Sequence, residues 1–199
     1  PSRITPRPSI LGVQTAIVAG PPGEEIHCDE HGRIKVQFPW DREGKKDDNS
    51  SCWIRVSQPW GGLSYGGIFI PRVGQEVLVQ FLEGDPDRPV IVGRVYNGEN
   101  ATPYGLPDKK TVSTFKSSSS PGGNGSNELR FEDAAGKEEV YLHGQLDMNT
   151  VIERDRTQKF GRDTKDDVGR DRSRTVGHDE TLSVGNNRQA SVGNNETLD

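Results

Sequence analysis

The sequence predicts an all-β chain in two parts, a small closed barrel followed by a β-helical prism, on three observations. Short alternating apolar segments bounded by turn residues fill the first half, and no stretch shows a 3.6-residue period. Apolar residues are unevenly spread: residues 1–97 hold 26 of the 43 Ile, Leu, Val and Phe residues in a chain of 199. The last quarter repeats instead, with Val-Gly returning every eight residues in VGRDRSRTVGHDETLSVGNNRQASVGNN (168–195). Hydrophobic residues are only 30% of the chain beside 24 glycines and 13 prolines. Chain entropy can be offset only where apolar side chains are concentrated, so the first part folds around a core and the rest is ordered by other means.

The barrel strands are expected at Leu11 to Ala19, Arg33 to Phe38, Cys52 to Ser57, Gln75 to Leu82 and Val90 to Tyr96. Alternation sets Ile34, Val36 and Phe38 on one face, and Cys52, Ile54 and Val56 on one face of the next strand. Asp29 to Gly32 and Gly84 to Pro89 carry turn chemistry, because Gly permits positive φ, Pro fixes φ and Asp bonds back to nearby amides. Five strands in under 100 residues predict an OB-like barrel over 1–97.

Residues 98–127 change to Gly, Pro, Ser and Asn, including SSSSPGGNG (117–125), and read as a connector. Glu128 to Phe131 and Glu139 to His143 flank a turn and predict a hairpin, within a 128–151 segment that starts the prism.

The octads occupy 152–199. Counting back in eights from Val192 gives Val184, Val176, Val168, Phe160 and Ile152, and glycine follows five of these six as Gly161, Gly169, Gly177, Gly185 and Gly193. Three residues after each apolar position stands Asp or Asn: Asp155, Asp163, Asp171, Asp179, Asn187 and Asn195. Leu182-Ser183-Val184 alternates as a strand does, and Gly with Asn or Asp then supplies a corner of positive φ and local hydrogen bonds. A strand with one or two inward apolar residues cannot stand alone, so copies must stack edge to edge, about 4.8 Å apart. Each layer could take three octads of one chain or one from each of three chains, because both arrangements bury the same side chains. A calcium-binding roll has a period of nine and several glycines per copy, which this repeat lacks.

Several runs resemble one family: the Val-Gly octads, CWIRVSQPW (52–60), IFIPRVGQEVLVQFLEGDPDRPVIVGRVYNG (68–98) and SSSSPGGNGSNELRFEDAAGKEEVYLHGQLDMNTVI (117–152). They are similar to VgrG, the valine-glycine repeat spike proteins of the bacterial type VI secretion system. The resemblance covers nearly the whole chain. It implies a barrel followed by a triple-stranded β-helix in which three identical chains interwind, as in the needle of contractile phage tails. It further implies a homotrimer that is a membrane-puncturing part of a contractile injection machine. Its implied partners are the secreted tube protein, a tip protein, secreted effectors and the baseplate, with transient passage through a target membrane. The implied location is the bacterial cytoplasm before firing, then the target cell or medium. Pro1 in place of Met is expected of a fragment, whose family also carries a large amino-terminal region.

On this reading Ile152, Phe160, Val168, Val176, Val184 and Val192 form the needle core and trimer interface, and Gly161, Gly169, Gly177, Gly185 and Gly193 its corners. Arg172, Glu180, Arg188 and Glu196, four places after each valine, alternate in sign and form a charge ladder between layers of neighbouring chains.

Catalytic, metal and cofactor sites are not expected. His27, Cys28 and His31 are three ligand types in one cluster, short of the four a zinc site usually needs, and they fall on a turn. There is no G-x-S-x-G elbow or phosphate loop, and a connector of about 30 residues is too short for a catalytic domain. Cys28 and Cys52 are expected as reduced thiols. The alternative is an OB-fold single-stranded nucleic-acid binder, with Trp40, Trp53, Trp60 and Tyr65 as stacking platforms. Charge speaks against it: net charge is −5, and residues 1–97 set 11 Lys and Arg against 12 Asp and Glu. A third reading is a spike whose enzymatic domain lies outside this stretch.

Overall fold

The structure, a computed structural model, describes residues 5–194. The chain divides into two units, residues 1–149 and 150–199, and each is taken by itself.

In the first unit, five strands curl into one sheet in the order β2-β1-β6-β7-β3. These are β1 (Val13–Ala19), β2 (Lys35–Gln37), β3 (Arg55–Val56), β6 (Glu76–Phe81) and β7 (Pro89–Val95), with the small hairpin β4 (Trp60–Gly61) and β5 (Gly66–Gly67) inserted between β3 and β6. β3 runs parallel to β7, whereas β1, β2, β6 and β7 pair antiparallel. The sheet closes where Ile34 and Ile54 exchange backbone bonds, the Ile34 N–H donating to the Ile54 carbonyl at 3.0 Å and the Ile54 N–H donating back at 2.8 Å. Closure leaves no open edge there to recruit another chain. A bulge between Leu78 and Val79 shifts the β6–β7 register and adds the bend a small barrel needs.

Inside lie Ala16, Val18, Ile34, Val36, Phe38, Ile54, Val77, Val79, Phe81 and Ile91, all buried. The alternation read for Ile34, Val36 and Phe38 is the observed inward set. Cys52 is not: it is exposed, because pairing begins only at Ile54 and nothing holds the residue two places earlier to the inward phase. Cys28 is exposed and free as well. The turn before β2 is built as its residues suggest, with Gly32 at φ 67° donating to the Asp29 carbonyl, and the Asp29 carboxylate accepting from the amides of His31 and Arg33.

The stretch read as a connector is ordered and contains a strand. β8 (Val112–Lys116) pairs with β9 (Glu128–Glu132), which pairs with β10 (Glu139–His143), so the expected hairpin is the far part of a three-stranded sheet. Alternation in β8 offers only one bulky apolar side chain, Phe115, on one face, too little to announce a strand until β9 sets Leu129 opposite it. The serine-glycine loop after β8 is clamped to the barrel. Glu25 accepts from the Ser120 hydroxyl and the Gly122 amide, both at 2.6 Å, and Arg72 donates to the Ser118 carbonyl at 2.7 Å. The Ser120 and Gly122 bonds, with Arg72 nearby, hold the Glu25 carboxyl below the usual carboxylate range.

One face of this sheet carries the rows Val112, Glu132, Glu139; Thr114, Arg130, Tyr141; and Lys116, Glu128, His143. Tyr104 from the preceding loop braces it, its hydroxyl donating to buried Glu128 and accepting from Arg130, while Thr114 donates to Glu128 at 2.9 Å. Chiefly through the Tyr104 bond, and then through Thr114, Lys116 and Arg130, the Glu128 carboxyl is kept below its ordinary value.

Candidate functional site

The second unit is where the repeat lies, and its geometry is set by the octad. From Thr150 to Asn194 the backbone runs without strand pairing and bends every eight residues, at Glu153–Arg154, Gly161–Arg162, Gly169–Arg170, Gly177–His178, Gly185–Asn186 and Gly193–Asn194. In five of these six the bend falls on the glycine and the residue after it. The series starts one copy earlier than the apolar count, because Gln145–Leu146 also bends, eight residues before 153. Gly144 fills the apolar place in that copy. Asp147, three residues on, keeps the Asp or Asn of every later copy and is the signal by which it could have been found.

Every described residue of this unit is exposed. Ile152, Phe160, Val168, Val176, Val184 and Val192 lie between 41% and 56% exposed in the isolated chain. Three consecutive octads therefore do not close on one another to bury their valines, which removes the single-chain prism left open by the sequence. Six large apolar side chains at one spacing, none covered by its own chain, are the main chemical feature of the unit.

Two corner expectations need correction. Gly161, Gly169, Gly177, Gly185 and Gly193 do not have positive φ, and a Cβ built on each meets nothing within 4 Å. The bend does not draw on the positive φ that favours glycine, and no crowding within the chain requires glycine there. The corner carboxylates also do not bond back to amides as expected. Asp155, Asp163 and Asp171 instead face the Arg before each, at 3.0 Å from Arg154, 4.0 Å from Arg162 and 3.1 Å from Arg170, in exposed pairs of small energetic weight.

Of the charge ladder, Arg172 lies 3.4 Å from Asp166 and Glu180 lies 2.5 Å from Arg174, both within the chain. Each pair spans one bend at a separation of six residues, with the signs reversed from one octad to the next. Arg188 is exposed, and Glu196, with Asn195, lies outside the described residues.

The aromatic residues considered for base stacking do not make one platform. Trp40 stacks on Phe38 at 4.8 Å, Trp53 is covered by Lys35 and His27, and Trp60 meets Tyr65 edge-on within the β4–β5 hairpin. His27 faces Trp53 while His31 lies 3.5 Å from Glu30, and among the described residues no three His, Cys, Asp or Glu side chains gather as a metal site. No described helix is long and apolar enough to cross a membrane.

Comparison with known proteins matches two stretches of the chain. Residues 24–96 match the type VI secretion system and phage-baseplate injector OB domain, and residues 113–199 match the C-terminal trimerisation domain of bacteriophage T4 gp5. The type VI secretion system spike proteins VgrG4b and VgrG5 of Pseudomonas aeruginosa are each 58% identical over 158 residues, 79% of this chain and 20% of theirs. The actin cross-linking toxin VgrG1 of Vibrio cholerae is 54% identical over 151 residues, 76% of this chain and 14% of its own length. The chain thus spans between 14% and 25% of the length of these and similar relatives.

Proposed function

The chain belongs to the VgrG family of type VI secretion spike proteins, and from that premise we propose that it is the barrel and upper shaft of a homotrimeric spike whose work is mechanical. One observation carries the reading: an apolar residue every eight, about half exposed in each of six copies, with no pairing partner in its own chain. Three copies winding together would turn Ile152, Phe160, Val168, Val176, Val184 and Val192 toward a common axis and pair each bare backbone segment with its neighbours. Six layers at about 4.8 Å give a shaft of about 29 Å. The open corner glycines fit the same arrangement, since a close approach from a neighbouring chain supplies the crowding that the single chain lacks.

A shaft of this kind has no free sheet edge along its length and adds ladder hydrogen bonds with every layer, properties suited to penetration of a membrane. These residues act as a non-enzymatic structural element. Tube, tip protein, effectors and baseplate are the partners of such a spike, which waits in the bacterial cytoplasm and is then delivered outward. Solution mass tests the core of this reading. A single species near three times 21.9 kDa is expected, and a monomer at micromolar concentration overturns it.

A further inference from the structure

A cleft of about 560 Å³ lies between Phe69, at the root of the β4–β5 hairpin, and Lys116, at the end of β8. Its size is that of a ligand cleft. Ile26, Phe69, Ile70 and Pro103 give it an apolar lining, and Arg72, Arg94 and Lys116 line it as cations. Arg94 and Lys116 also line a further hollow of about 270 Å³ that reaches Tyr96 and Asn100, so the whole is elongated.

The carboxylates around this cleft are satisfied by neutral donors rather than by its arginines. Glu25 accepts from the Ser120 hydroxyl and the Gly122 amide, Glu76 from the Asn97 side chain at 2.8 Å, and Glu128 from Tyr104 and Thr114. Lys116, 3.9 Å from Glu128, is the one cation of the three with an acidic neighbour at contact distance. Arg72 and Arg94 donate to backbone carbonyls, of Ser118 at 2.7 Å and of Phe69 at 2.9 Å, and among the described residues neither has a carboxylate within 4.0 Å. A guanidinium has five N–H donors, so most of each fork stays open, while the carbonyl bond holds the side chain in place and lowers the entropy cost of using it.

We propose that this cleft binds an extended acidic peptide segment of another protein, with its carboxylates on Arg72 and Arg94 and its intervening apolar side chains against Phe69, Ile70 and Pro103. Charge complementarity selects the occupant. Planar forks fit carboxylates by two parallel bonds, and an elongated apolar lining beside them suits side chains that a free inorganic anion does not have. The proposal goes beyond the spike reading and does not depend on the trimer.

The test uses the full chain and a short fluorescein-labelled peptide of alternating aspartate and leucine, with fluorescence anisotropy and mass measured on the same sample. Saturable binding is expected, at least about tenfold tighter than for a peptide with asparagine in place of aspartate. Arg94→Gln should weaken it by a similar factor, and the fold should survive because the Phe69 carbonyl also accepts from Gln58 at 3.4 Å. Arg88→Gln makes the same change of charge at the other end of the β6–β7 hairpin and should leave binding unaltered. No binding, equal affinity for the two peptides, or equal affinity of Arg94→Gln and the unaltered chain overturns the proposal. So does binding seen only with Val184→Asp, a charge placed on the shaft to keep the chain monomeric, because a neighbouring copy then fills the cleft. A mass of one chain for the unaltered protein with binding intact overturns the trimer reading and leaves the cleft standing.

Discussion

The barrel and the shaft spend similar side chains in opposite ways. In the barrel, strands far apart in sequence come together, the Ile34–Ile54 pair closes the sheet, and Ile34, Val36, Val77 and Val79 reach zero exposure within one chain. Valines of the shaft recur at a regular spacing that leaves each about half exposed. The difference lies in topology rather than composition. A barrel needs returns of the chain and turns to make them, whereas a chain that only advances, bending every eight residues, can bury nothing without neighbours. Self-sufficient folding and assembly-dependent folding are thus written side by side in one sequence.

The sharpest way to break the contrast is a charge on the shaft axis. Val184→Asp brings three carboxylates into one layer of a trimer, where lost hydration and mutual repulsion both oppose assembly. Loss of the trimer by sedimentation is expected with the barrel still folded by circular dichroism, and Ser183→Asp, one residue out of phase, should leave the trimer intact. Next in size is Gly185→Val. Since its Cβ meets nothing in the lone chain and φ is not positive, the monomer should be unaffected, while the trimer should lose more than about 1 kcal/mol per chain, comparable to other steric strain. A monomer destabilised as much as the trimer would return the corner to a conformational role.

Acid should separate the barrel from the pieces clamped to it. Glu25 and Glu128 both have folded-state pKa values below their ordinary ones, so their contribution is complete above the unfolded value near 4.5 and disappears as pH falls through the lower folded values. Amide exchange at Gly122 and at the β8–β9 ladder should therefore quicken below about pH 4 before that of Ile34 and Val77, which rely on apolar packing. The smallest effect concerns the ladder. Reversing Glu180 and Glu196 to Arg removes the Arg174 pair and sets like charges one octad apart, worth about 0 to 1 kcal/mol per pair. Register is more sensitive than stability, because nearly equivalent octads have little else to oppose slippage. Native mass spectrometry at low salt should show staggered or mixed species, and clean in-register trimers would remove the ladder from the account.

Much of this was legible from residue order. Alternation located the five barrel strands, and strict phase matches the eight-residue spacing of the bends. What escaped did so for local reasons. The Trp60–Gly61 and Gly66–Gly67 strands are too short and too rich in glycine to show a pattern, and Phe115 had no visible row until its partners were aligned. Gly144 hid a seventh copy by lacking a side chain where the count looked for one. The positive φ expected at the shaft glycines was an inference from residue type alone, and the backbone does not require it. The choice between one chain and three could not be read from a pattern that buries the same atoms in either case.

The bare shaft has a consequence in time. Synthesis delivers the barrel first, and it can finish folding while the octads emerge with nothing to fold against. On the proposed trimer, assembly is then a meeting of three tails, with a rate that climbs steeply with expression level and a window in which proteases compete. Once the first layer has formed, each further layer closes a loop of only eight residues per chain, so growth should run like a zip from barrel to tip. Completion of the point would then report that everything behind it is already in place.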